Sequence, residues 1–372
     1  MPRAGLFASH SRLATRNSLL SSPSFLVPPM LPGLFRLLLA LLVVVHHSFP
    51  LRLGAWAVGM FFVLSGYWIA RMWQSKYSQQ PNPYRTFVIS RWWRLAPLFI
   101  TVQLLAVFLG WLGLPLVGQE ATRSLGWWLT QPTVLGSTQF ARLLPPCWSL
   151  DVEMQFYLVA PLLIVGVSQL SGRETLLPLL LLIAWGGILF WSGVDLEAPR
   201  FDLYAWLFLA GVLVHRFDWR PSIGAQWASA AAIVATVALL MAVPATRELV
   251  WHPGSAESQV PPIYGQLLFI LMAITGIPLA AGTVFRRSSA RDRWLGDLSY
   301  PLYLFHWIPR DWYYSQVDWS QPRSHNLMLL IANFAIAIVG AVVLLQIVDR
   351  PIREKRGGPL RGRSEMRVAS GE

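Results

Sequence analysis

Arg36 and His47 stand eleven residues apart inside one apolar run that starts at Gly33 and includes Val43, Val44 and Val45. At about 100° and 1.5 Å per residue, that spacing is three helical turns plus about 20° and a rise of about 16 Å. A helix here aims a guanidinium and an imidazole into one groove at two depths. An ionisable side chain inside a bilayer costs about 2.5–3.5 kcal/mol on insertion scales, so such groups usually line a cavity with a purpose. The competing reading is a snorkelling arginine and an interfacial histidine. His46 points to another face and reads as structural or interfacial.

Ser149, Glu153 and Tyr157 recur at i, i+4 and i+8, which makes one polar stripe on a helix. With the N-terminus inside, the first helix runs outward and the one bearing Glu153 runs inward. Glu153 is then expected at the depth of His47, where a carboxylate holds the imidazole's tautomer and balances the charge it gains as a general base. Alternatively, Glu153 pairs with a basic residue to hold helices together, and Asp151 caps the helix start. Further on, Ser299, Tyr303 and His306 share a face within about 60°. Each can hydrogen-bond a hydroxyl-bearing ligand or a neighbouring helix. Arg91 and Arg94, at i and i+3, have forks that match phosphate geometry, although cationic residues also gather there for topological reasons.

These residues need elements to position them, and the composition says which. Of 372 residues, 55% are hydrophobic and 13% charged, against about 25% charged in soluble domains. An ordinary soluble protein is excluded. Ten apolar runs are expected to span a bilayer: 33–49, 55–73, 95–113, 149–168, 174–193, 203–216, 226–243, 263–284, 298–314 and 326–348. The stretch 114–148 reads as an extramembrane loop with a helix at the interface, where Trp127 and Trp128 would suit the depth.

The net charge of +12 in a soluble protein would suggest nucleic acid. Most of the Lys and Arg fall on one side of the ten spans, so topology and contact with anionic lipid account for them, and no nucleic-acid partner is expected. The single Cys147 excludes a disulfide framework and a Cys-based metal cluster. The expected fold is an all-α integral membrane protein of about ten transmembrane helices around a central polar cavity. Both termini are expected on the cytoplasmic side. Residues 1–30 read as a basic N-terminal tail or an over-extended start, 31–350 as the membrane domain and 351–372 as a basic cytoplasmic tail. No internal repeat is evident.

Taken together, the segments resemble the acyltransferase family 3 of integral-membrane O-acyltransferases, which modify polysaccharides and other sugars. Arg36, ten intervening residues and His47 are similar to the family's first helix. Gly59-Met60-Phe61-Phe62-Val63-Leu64-Ser65-Gly66 resembles its second-helix signature, and Arg91-Trp92-Trp93-Arg94 its Arg-x-x-Arg segment. Trp148-Ser149-Leu150-Asp151-Val152-Glu153 resembles its Trp-Ser-Leu-x-x-Glu stretch, and Leu295 to Trp307 and Asp349-Arg350-Pro351 complete the series. Three departures stand out: no acid precedes Gly33, Phe35 separates Leu34 from Arg36, and Met154 stands where a second Glu often follows the first. Glu153 is therefore expected to act alone.

The resemblance implies transfer of an acyl group, most often acetyl, from cytoplasmic acyl-coenzyme A to a hydroxyl of a glycan, in the inner (plasma) membrane. Arg91 and Arg94 would hold the donor's phosphates, with Arg36 further along. His47 would act as general base or transient acyl carrier, Glu153 would orient it, and Ser299, Tyr303 and His306 would shape the acceptor or stabilise the oxyanion. No permanently bound cofactor and no metal is expected; acyl-CoA is the donor substrate. An exporter of a lipid-linked sugar or other polar solute is the competing class, since it too predicts many spans and buried charges.

Overall fold

The computed structural model describes residues 30–355 apart from 117, 137–141, 252–259 and 319. Nearly all of the expected N-terminal tail and the chain beyond 355 lie outside the described residues. Twelve α-helices follow in order: α1 Pro32–Ser48, α2 Gly54–Met72, α3 Pro83–Trp111, α4 Leu125–Thr130, α5 Trp148–Gln169, α6 Leu176–Trp191, α7 Phe201–Arg216, α8 Ile223–Ala242, α9 Pro262–Val284, α10 Ala290–Phe305, α11 Trp307–Gln316 and α12 Arg323–Leu344. Among the described residues, one antiparallel bridge, Leu51 to Trp251, is the only extended pairing.

Six stretches among the described residues are long and apolar enough to cross a membrane. They are Gly54–Tyr77, Pro83–Trp111, Pro145–Gln169, Ile223–Ala242, Pro262–Val284 and Arg323–Lys355. Helices α1 and α6 are apolar but shorter. Leu177, Leu181 and Ile188 on α6, and Met328, Ile331, Val339 and Ile347 on and after α12, are exposed. In water such bands would aggregate; against lipid they are at no disadvantage.

Two expected spans differ from the helices, and two further expected elements form in other surroundings. The run 95–113 is the second part of α3, which starts at Pro83 because proline suits a first helical turn. The cationic Arg85, Arg91 and Arg94 hide the first three turns from a hydropathy reading. The run 298–314 divides into α10 and α11 at His306. Pro309 has no N–H for the Phe305 carbonyl one turn back, so the helix ends there. The short 203–216 run is α7, buried on nearly every side from Leu203 to Val214. In the loop 114–148, α4 does form, but Trp127 is buried in the core and Trp128 alone is exposed.

Helix α7 lies backbone to backbone with α2: a Cβ on Gly211 would sit 2.0 Å from the Val63 carbonyl oxygen. The Phe208 ring stacks between Phe156 of α5 at 4.1 Å and Phe62 of α2 at 4.6 Å, so these three helices form one rigid wall.

The start of α1 is fixed from α10. Ser289 caps α10 by accepting from the Asp292 backbone N–H at 3.1 Å. The Asp292 carboxylate in turn accepts the Gly33 and Leu34 N–H groups at 3.0 and 2.8 Å. Two orphan donors of α1 are thereby satisfied by a carboxylate that also suits the helix dipole. Gly33 is needed for this approach, because a Cβ there would meet the Asp292 carbonyl oxygen at 1.7 Å. Arg36, one turn on, is therefore held in a set direction.

Candidate active site

A cavity of about 450 Å³ opens between α1, α2, α3, α5 and α10. Its lining runs from Arg36, Arg91, Arg94, Asp297 and Arg353 through Ser65, Glu153 and Tyr157 to Ser149, Ser299 and Tyr303. Three layers of different chemistry thus follow one another along it.

In the cationic layer most charges are already matched. Arg94 donates to Asp349 at 3.2 Å, Arg353 pairs with Asp349 at 3.0 Å, and Arg353 donates to Asp297 at 2.5 Å. This ladder ties α3, α10 and the end of α12 together. Tyr300 adds a tie by donating to the Leu95 carbonyl at 2.7 Å, and its ring lies 5.2 Å from the Arg94 guanidinium. Arg91 donates to the Tyr77 hydroxyl at 3.2 Å and lies over the Tyr77 and Phe87 rings. Arg36 differs. Its guanidinium lines the cavity with no hydrogen-bond or ion-pair partner among the described residues, and Asp297, Glu153, Arg94 and Arg353 set the potential around it. A half-buried cation that lines a cavity without a partner is costly, and an anionic ligand would relieve that cost.

Glu153 occupies the middle layer. One carboxylate oxygen accepts from Ser65 of α2 at 2.9 Å and from Tyr157 at 2.5 Å. The expected stripe of Ser149, Glu153 and Tyr157 is present, but Glu153 is not placed beside His47. Glu153 would share the depth of His47 only if α5 began at the membrane edge. In fact the turn Pro145–Cys147 delivers Cys147 and Trp148 already buried, so the second turn of α5 reaches the level of the arginines. Asp151 does not cap its own helix; it accepts from the Gly136 N–H at 3.0 Å and from Gln155 at 3.1 Å.

The third layer closes the cavity. The Tyr303 hydroxyl donates to the Pro146 carbonyl at 2.7 Å and lies 2.6 Å from the Ser149 hydroxyl. Ser299 is buried and donates to the Gly296 carbonyl at 2.7 Å. Immediately past this rung comes His306, fully buried, its Nδ1 2.7 Å from the Tyr303 carbonyl oxygen. A carbonyl has no proton to give, so Nδ1 carries the hydrogen and Nε2 of the neutral ring keeps its lone pair. That Nε2 is buried with no partner among the described residues.

His47 lies against His306, not in the cavity. The two imidazoles stack at 5.4 Å between centroids and 20° between planes, and Trp307 meets His47 edge-on at 5.0 Å. Arg36 and His47 therefore do not share one groove: the Tyr303–Ser149 rung and the Trp307 ring intervene. Arg310 holds the end of α1 by donating to the His47 carbonyl at 3.2 Å while stacking on Trp307 and Tyr314 at 4.2 and 4.4 Å. Asn333 of α12 donates to Ser48 at 2.9 Å. The His46 ring meets that of His47 edge-on at 4.7 Å, and its Nδ1 lies 3.2 Å from the Leu51 carbonyl oxygen.

The eight expected site residues thus fall into two groups. Arg36, Arg91, Arg94, Glu153, Ser299 and Tyr303 line one cavity, and His47 and His306 pair just outside its end. Sequence reasoning passed over Ser65, Asp297, Arg353 and Arg310. Ser65 stood in the Gly59–Gly66 segment, and Arg310 in the apolar run 298–314, but neither position carried a signal of its partner.

A helical bundle with a cationic cavity running toward two packed imidazoles has polar groups of the kind that a membrane enzyme places inside its apolar helices. Residues 33–347 match the acyltransferase domain family, and the chain belongs to it; the protein is an acyltransferase. A peptidoglycan O-acetyltransferase, OatA, of Listeria monocytogenes serovar 1/2a is 27% identical over 363 residues, covering 88% of this chain and 56% of the relative. The chain spans about half the length of that relative. No solved structure matches it.

Proposed function

We propose that the protein O-acetylates a hydroxyl of a cell-surface glycan, of which peptidoglycan is the leading candidate, using acyl-coenzyme A. The observation that carries this reading is the cavity joining the partnerless Arg36 guanidinium to the Tyr303–Ser149 rung beneath the two imidazoles. Donor phosphates bind among Arg36, Arg91 and Arg94, with both chain termini and this mouth on the cytoplasmic face of the plasma membrane. The thioester lies beyond Glu153. The acceptor approaches from the histidine end, His306 Nε2 or His47 accepts the proton of its hydroxyl, and the oxygen attacks the thioester carbonyl. The thiolate leaves and takes a proton from the imidazolium, so the histidine ends as it began. The Tyr303 and Ser149 hydroxyls serve as donors to the tetrahedral oxyanion once their mutual contact and the Tyr303 bond to the Pro146 carbonyl open. Transfer through an acyl-histidine uses the same layout. Glu153 acts as a positioning residue that fixes Ser65 and Tyr157. Membership in the acyltransferase family removes the support for an exporter without covalent chemistry.

The test is purified protein in lipid nanodiscs with radiolabelled acetyl-coenzyme A and peptidoglycan fragments. Alkali-labile label in the glycan is expected. Folded protein that forms no ester from the thioester, but does so from another activated acyl compound, would overturn the donor and keep the class.

A further inference from the structure

A second hollow, about 590 Å³, lies at the same end of the bundle as the cationic layer, where α2, α7 and α9 finish. Four guanidiniums face it, from Arg71, Arg220, Arg286 and Arg287, against the one carboxylate of Asp218. Asp218 is taken by Arg220 at 2.9 Å. Arg71 lies over the Trp68 ring at 5.3 Å, and neither it nor Arg287 has an ion-pair partner among the described residues. Arg286 donates to the neutral Gln226 at 2.9 Å, while its Nε is buried without a partner. Three positive charges are therefore gathered in a concavity with nothing to neutralise them. Positive-inside topology accounts for cations on this side, but not for their convergence on a hollow. Trp68 lines both this hollow and the catalytic cavity, so an occupant of one abuts the other.

We infer that this hollow is a second anion site, distinct from the catalytic cavity, that takes a phosphate-bearing ligand. Guanidinium forks match phosphate oxygens in pairs, and several forks on one group suit a phosphate ester better than a single carboxylate. The phosphate comes from an anionic lipid headgroup or from a soluble nucleotide. The site does not depend on which donor the enzyme uses.

Two probes test it: radiolabelled adenosine 3′,5′-bisphosphate with the protein in phosphatidylcholine nanodiscs, and phosphatidylglycerol retention by native mass spectrometry. Wild-type protein is expected to hold at least one, more weakly at higher salt. The exposed pair R71Q/R287Q should lose about tenfold or more in affinity, with R71K/R287K between the two. Retention of the bisphosphate assigns a nucleotide source, and retention of phosphatidylglycerol a lipid. The inference is overturned if wild type holds neither probe, or if R71Q/R287Q binds as wild type. It is also overturned if R36Q alone removes binding, because that places the probe in the catalytic cavity.

Discussion

Replacing Arg36 with Gln separates ligand binding from stability in a way a structural arginine would not. The guanidinium lines the cavity, forms no hydrogen bond or ion pair among the described residues, and shares its surroundings with the like charges of Arg94 and Arg353 and the opposite charges of Asp297 and Glu153. The direction of α1 is set one turn earlier by Asp292 on the Gly33 and Leu34 N–H groups, so the substitution removes no contact that holds the helix. Unliganded stability should stay within about 1 kcal/mol of wild type, because the two like and two opposite charges around Arg36 largely offset one another and the glutamine keeps part of the stem's packing. Binding of an anionic donor should fall. A hydrogen bond to a charged group contributes about 1.5–3 kcal/mol, which is about ten- to hundredfold in affinity. Thermal unfolding in detergent and donor titration measure the two quantities on one preparation. A large drop in thermal midpoint with donor affinity unchanged would show that Arg36 is a structural tie and not a donor ligand.

Two further outcomes are expected. Gly33→Ala places a Cβ 1.7 Å from the Asp292 carbonyl oxygen, a backbone atom that cannot turn aside. It should cost about 3 kcal/mol or more, read as reduced folded yield and thermal midpoint, whereas the same change at the open Gly187 should cost far less. Arg310→Met keeps much of the stem but loses the bond to the His47 carbonyl, the charge over Trp307 and Tyr314, and the 2.8 Å ion pair with the buried Asp311, so its thermal midpoint should fall as well. It should lower kcat about ten- to hundredfold by loosening the imidazole pair. The donor KM should stay within about twofold, since the cationic layer lies at the far end of α1; steady-state kinetics with varied donor decides it.

Much of the architecture was legible because lipid-facing helices carry an apolar signal that needs no partner. Helix α7 shows where that signal misleads: its brevity looked like a weak span, yet it is the helix that protein surrounds. The cavity's members were legible one at a time, since Arg36 and Glu153 are conspicuous in apolar runs. Their pairing was not. Glu153 was expected beside His47, but which side chains meet depends on how deep α5 starts, and Cys147 and Trp148 begin it inside the bundle. The stacking of His47 on His306 likewise depends on the break before α11, which Pro309 imposes but no helical wheel foresees. The ladder from Arg94 through Asp349 and Arg353 to Asp297 joins residues more than 250 positions apart, and no local pattern encodes it.

In the proposed function, acyl transfer takes place at the imidazole pair while the donor is held by the arginines at the other end of the cavity. The most direct test is transfer of label from acetyl-coenzyme A to peptidoglycan fragments by His47→Ala and wild-type protein in nanodiscs, with donor binding measured on the same samples. The account predicts that ester-linked label falls by about 10²-fold or more while donor affinity stays within about twofold. Equal incorporation by both proteins would contradict it and remove His47 from the chemistry.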